Sequence, residues 1–151
     1  MMPVMERPAA RTTAQRIADA RRRLEHDVDL WVASAGADGA AYLVPLSFHW
    51  DGTAVTLATA RTTRTARNLL RAGWARVALG ETRDVVMVEG PVTEGADAAT
   101  ADAFAVHTDW DPRLEPVEYV FLRVEAREIQ AWRESNELPG RRIMRAGAWV
   151  E

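Results

Sequence analysis

The sequence predicts a mainly β, α+β fold: a small, mostly antiparallel barrel with helices at its ends. Three observations predict it. Runs rich in β-branched and aromatic residues follow one another across Asp-Gly turns, at Asp38-Gly39 and Asp51-Gly52. The elements succeed each other as helix, three strands, short helix, two strands, helix, strand, without the strand-helix alternation of a parallel sheet. The 151 residues, 48% of them apolar, make room for one domain with a buried core.

Each element has a local reason. Thr12 and Gln15 have capping-box spacing, and Ile17, Ala20 and Leu24 follow at helical intervals, so the first helix covers about residues 13 to 25. Its run Arg21 to Arg23 reads as a solvated face. "VDLWVAS" (28 to 34), "AAYLVPLSFHW" (40 to 50) and "TAVTLATA" (53 to 60) read as three antiparallel strands. "TARNLLRA" then turns helical, with Gly73 where a left-handed C-terminal cap belongs. "WARVALGE" (74 to 81) and "DVVMVEGPVTE" (84 to 94) read as strands joined at Thr82 and Arg83, the second ending near Pro91. An Ala-rich helix spans 96 to 109, and 117 to 132 is long enough for one bent or bulged strand. No repeat or linker divides the chain, so 1 to 151 reads as one domain, with its core over about 13 to 133 and a tail from 134 to 151.

Composition removes several functions. With no cysteine there is no disulfide framework, thiolate zinc site or cysteine nucleophile. No apolar block suits a signal peptide or a membrane span, so a cytoplasmic protein without a membrane partner is expected. His26, His49 and His107 lack metal-ligand spacing, and no metal site is expected. His49 is a partial exception, since "PLSFHW" could bring it to the same face as Pro45 and Ser47. Ser47 has no nucleophile-elbow context, and no catalytic residue can be named. Most of the six tryptophans read as core or interface residues.

Charge is segregated along a chain whose formal net charge is -3. Thr53 to Gly80 holds five arginines (Arg61, Arg64, Arg67, Arg71, Arg76) and no acid, whereas Glu81 to Leu122 holds ten acids and two arginines. The strand ending at Thr59 or Ala60 delivers Arg61, Thr62, Thr63, Arg64 and Thr65 onto a helix start. Backbone N–H groups, hydroxyls and guanidinium forks at that place suit a phosphate. The alternative is that Thr62, Thr63 or Thr65 merely caps the helix while the arginines are solvated. A glycine-rich P-loop is absent. Nucleic acid is not expected as a partner, because the pI is about 5.7 and the neighbouring segment is acidic.

With these elements in order, "YLVPLSF" (42 to 48), "VTLATARTTRTARNLLRAGWARVALGETRDVVMVEGPV" (55 to 92) and "FLRVEAREIQAWR" (121 to 133) resemble the pyridoxamine 5'-phosphate oxidase-like flavin-binding split β-barrels over roughly residues 13 to 133. The resemblance implies a six-stranded antiparallel split β-barrel with short flanking helices. It implies a homodimer that binds FMN, or in some branches the deazaflavin coenzyme or haem, in a groove between subunits. The isoalloxazine would lie against Pro45, Leu46 and Ser47, and the phosphate would sit at Thr59, Ala60, Arg61, Thr62, Thr63 and Arg64. The function implied is a flavin- or deazaflavin-dependent oxidoreductase acting on a small molecule, with a non-catalytic flavin or haem carrier or sensor as the alternative. Two departures stand out. Thr65 occupies the position, three before Asn68-Leu69, where family members often carry lysine. The substrate-phosphate residues of true pyridoxamine phosphate oxidases have no match, so vitamin B6 synthesis is not expected.

Overall fold

The computed structural model describes residues 6–150. Its elements are α1 (Thr13–His26), β1 (Asp29–Ala35), β2 (Ala41–Trp50), β3 (Ala54–Ala60), α2 (Arg64–Ala72), β4 (Trp74–Glu81), β5 (Asp84–Glu94), α3 (Ala98–Thr108), β6 (Tyr119–Glu125), β7 (Glu128–Trp132), β8 (Arg142–Arg145) and β9 (Ala148–Trp149). Six antiparallel strands close on themselves in the order β4-β1-β2-β3-β6-β5, and β5 returns to β4. Closure removes most of the sheet edges that an open sheet would leave exposed. β7, β8 and β9 extend from the far edge of β5.

The core follows strand parity. Leu30 and Val32 of β1, Phe48 of β2, Val55 and Leu57 of β3, Val77 and Leu79 of β4 and Leu122 and Val124 of β6 alternate into the barrel. β3 is buried on both faces, because α3 brings Ala101 and Phe104 to that side of the sheet. Ala66 and Leu69 of α2 join the core, while Thr63 caps the helix by accepting from the Ala66 N–H at 3.1 Å. Gly73 closes it at φ 69°, a conformation that favours glycine.

Three expectations change. The segment 117 to 132 is two strands, not one bent strand, because the chain turns a corner at Ala126 and Arg127. The Ala126 N–H goes to the Thr53 carbonyl and the Arg127 N–H to that of Glu89, so β6 and β7 pair different partners. Gly90 makes the corner possible: a Cβ there would lie 1.6 Å from the Glu125 carbonyl oxygen. Next, β5 runs past Pro91 to Glu94, the added residues pairing with β6. Finally, Ile143 and Met144 from the tail are buried in the main core. The tail is held by Arg16 of α1, itself 5% exposed, which donates to the carbonyls of Glu137 (2.8 Å) and Pro139 (3.2 Å).

Candidate functional site

The chain leaves β3 at Ala60 and turns at once into α2. The Arg61 N–H donates to the Glu118 carbonyl and the Thr63 N–H to that of Ala60, both at 3.0 Å. The hydroxyls of Thr59 and Thr63 share a hydrogen bond of 3.1 Å, so these two threonines brace the turn from inside. Thr62 is exposed and Thr65 is buried.

The five arginines of this region separate by partner. Arg61 pairs with Glu94 and, at 2.9 Å, with Glu118; Arg76 pairs with Glu89 at 2.9 Å. Arg71 donates to the Ala35 carbonyl at 2.6 Å. Arg64 and Arg67 have no carboxylate within salt-bridge distance among the described residues. The Arg64 guanidinium lies over the Tyr42 ring, 5.1 Å from its centroid. Both arginines line a cavity of about 350 Å³ with Tyr42, Asn68, Asp38 and the backbone of the β1–β2 turn. Asp38, the one acid on its wall, accepts from the Ala40 N–H at 3.0 Å. Asn68 donates to Ser34 at 3.1 Å, which fixes the first turns of α2 against β1. The cavity thus opens at the start of α2, where backbone N–H groups and the helix dipole also favour an anion.

Pro45, Leu46 and Ser47 sit on the other side of a gap. β2 pairs β1 along 41 to 47, but its pairing with β3 covers only Phe48↔Leu57, His49↔Thr56 and Trp50↔Val55. Continued by three residues, that register would set Pro45 opposite Ala60. The split in the barrel therefore lies between the two segments singled out from the sequence, and of their residues only Arg64 lines the cavity at α2. On the outer face Pro45 lies beside half-exposed Trp31 in a groove of about 260 Å³ with Asp29, Ala78 and Gly80. The Ser47 hydroxyl donates to Asp29 at 2.8 Å, and Leu46 packs against the core.

Sequence reasoning missed Tyr42 and Asn68, and it did not separate Arg67 from its neighbours as a cavity residue. The signals were present: Arg64 and Arg67 are three apart on a helix, and Tyr42 shares strand parity with Phe48. His49 does not join the opening. It lies under α3, with its ring 5.6 Å from that of His107. No group of three or more metal-ligating side chains occurs among the described residues. No helix among them is long and apolar enough to cross a membrane.

Known proteins bear on this geometry. The family model described as pyridoxamine 5'-phosphate oxidase matches residues 18–133. No curated protein matches the chain. Among solved structures, an F420 reductase is similar at 17% identity and TM-score 0.61, covering 72% of this chain and 94% of that one. PhzG from Burkholderia lata, in complex with tetrahydrophenazine-1-carboxylic acid, is similar at 21% identity and TM-score 0.57, with 91% and 86% covered. HutZ, the haem storage protein from Vibrio cholerae, is similar at 12% identity and TM-score 0.61, with 76% and 91% covered.

Proposed function

The chain belongs to the pyridoxamine 5'-phosphate oxidase family, and from that premise we propose that it is an FMN- or deazaflavin-dependent oxidoreductase acting on a small molecule, with FMN the first choice of cofactor. The observation that carries this reading is the pair Arg64 and Arg67, unneutralised and lining the cavity at the start of α2. In that reading the phosphate end of the cofactor is held by Arg64 and Arg67, with the Thr59–Thr63 turn and the first N–H groups of α2 around it. The ring system crosses the split toward Pro45, Leu46 and Ser47. Thr59, Ala60, Thr62 and Thr63 shape the turn, and Arg61 joins the ligand only by leaving Glu94 and Glu118.

A bound flavin supplies the hydride chemistry; the protein supplies orientation and electrostatics. Here that means two guanidinium groups with no carboxylate within salt-bridge distance among the described residues, one of them over Tyr42. A homodimer completes the groove: Trp31, Leu43 and Trp74 are large apolar residues exposed on barrel strands. Cytoplasmic residence belongs to the same reading. The second reading, a non-catalytic flavin or haem carrier or sensor, is favoured by the likeness to HutZ, a haem storage protein.

The test is a visible absorption spectrum of the purified protein, then titration with FMN, the deazaflavin coenzyme and haem in turn. Saturable binding of FMN or deazaflavin, together with turnover of a reduced nicotinamide or a quinone-like acceptor, is the expected outcome. Binding without turnover moves the protein to the carrier reading. No binding of any of the three rejects both.

A further inference from the structure

We propose that the contact between His49 and His107 is an acid-released latch, which holds α3 against β2 while the buried Nδ1 of His49 is unprotonated and lets the helix lift when His49 takes up a proton. His107 Nε2 lies 2.8 Å from the Asp27 carbonyl oxygen, which can only accept, so Nε2 is the donor in this contact. The His49 ring meets this imidazole edge to face, at 69°. His49 Nδ1 is buried without a hydrogen-bond partner among the described residues. So is the hydroxyl of Thr56, which is 0% exposed and pairs with His49 across the β2–β3 ladder.

A proton on His49 makes both ring nitrogens donors. The added charge would then lie against a second imidazole, and a buried charged group without solvation is strongly disfavoured. Water can reach Nδ1 and Thr56 only if α3 moves away. Burial, and then the neighbouring His107, hold His49 below the ordinary histidine value, while Asp51 works in the opposite sense.

Most other charged groups around the pair are already engaged. Asp51, at the end of β2, is bonded to Arg123 of β6 and accepts from the Thr53 and Ala54 N–H groups. The Asp27 carboxylate, beyond α1, faces Arg23 at 3.6 Å. On α3 and its caps, Asp97 accepts from Thr100 and Asp102 pairs with Arg113 at 2.8 Å, while Asp109, at the C-terminus of the helix, has no side-chain partner among the described residues. The sign follows: the lifted state binds more protons, so closure weakens as pH falls below the ordinary histidine value of about 6.5.

Lifting has a route to the Thr-Arg turn. The excursion that carries α3 leaves the barrel at Glu94 and returns at Glu118, and Arg61 binds both. That coupling to a ligand rests on the function proposed above; the latch itself does not.

Hydrogen exchange of the full chain without ligand reads the latch alone. Relative to the amides of β1 and β4, those of α3 should exchange several-fold faster at about pH 5.5 than at about pH 7.5, the range in which histidine titrates. His107→Gln and His49→Gln should each abolish that difference. An unchanged ratio in the native protein, or an acid response that survives either substitution, overturns the proposal. Where a variant does not fold, imidazole NMR on the native protein decides: His49 titrating below the ordinary range supports the latch, and at or above it overturns it.

Discussion

Two cavities of nearly equal size, about 350 Å³ at the start of α2 and about 330 Å³ beside α1, are both lined by arginines, and the difference lies in what those arginines touch. Beside α1, Arg22 faces Asp19 at 3.4 Å, Arg23 faces Asp84 at 3.1 Å and Arg133 faces Asp84 at 3.3 Å. Next to them Arg11, 6% exposed, reaches Glu137 at 2.8 Å and Asp19 at 3.1 Å. At α2, Arg64 and Arg67 face a tyrosine ring, an amide and a turn whose one acid is bonded to its own backbone. The first region fastens the tail to the barrel; the second leaves its guanidinium donors without carboxylate partners among the described residues. Arginine density alone does not mark an anion site; the proposed site rests on the unengaged donors.

The largest expected effect tests the second region. Replacing Arg64 and Arg67 together by Ala removes two charge-assisted contacts and should weaken FMN binding by about 3–6 kcal/mol, a hundredfold or more in Kd, with thermal stability unchanged. Titration calorimetry beside a melting curve checks both halves. Affinity within error of the native protein would end the contrast.

Glu137→Ala tests the first region. One buried carboxylate accepts from the Arg11 backbone N–H (2.8 Å), Arg11 Nε (3.0 Å) and the Arg133 N–H (2.9 Å), besides its pairing with the Arg11 fork. Removing it leaves Arg11 with Asp19 as its one remaining close carboxylate and two backbone N–H groups without their acceptor, and should destabilise the fold by about 3–5 kcal/mol in urea unfolding, with ligand affinity unaltered. An equal loss of affinity would mean that the two regions are not separable.

The same carboxylate gives a pH signature. The Arg11 hydrogen bond, against the opposing effect of burial, holds Glu137 down at about 2. Its unfolded value is near that of an ordinary glutamate, about 4.3, so its contribution is complete above that pH and is lost as pH falls toward 2. The native protein should therefore lose up to about 3 kcal/mol more than Glu137→Gln over that interval, read by urea midpoints at each pH.

The smallest effect sharpens the comparison within the Thr-Arg turn. Arg61→Gln should leave FMN affinity within a few-fold, because Arg61 is engaged by Glu94 and Glu118. A loss as large as that of the Arg64 and Arg67 pair would return Arg61 to the phosphate contacts.

Much of the barrel was legible because its signals are local. The Asp51-Gly52 turn, the Thr63 cap and the Gly73 stop each act within a few residues, and the alternation in β1 names its own inward face. The corner at Ala126 was not legible. It arises from hydrogen bonds to Thr53 and Glu89, each more than thirty residues away, through the space left by Gly90. The burial of Arg16 was hidden for a similar reason, since the carbonyls it satisfies lie more than 120 residues on.

The same division runs through the site. By itself the sequence determined that a threonine- and arginine-rich turn opens a helix after a strand, and that acids and bases occupy separate stretches; both follow from spacing and composition. Only the tertiary structure decided which bases meet which acids. Arg61 and Arg64 are three residues apart in the same turn, yet one reaches across to Glu94 and Glu118 and the other lies over Tyr42. Pairing of charges depends on distances of a few ångströms between strands remote in sequence, and a linear pattern carries no such distances.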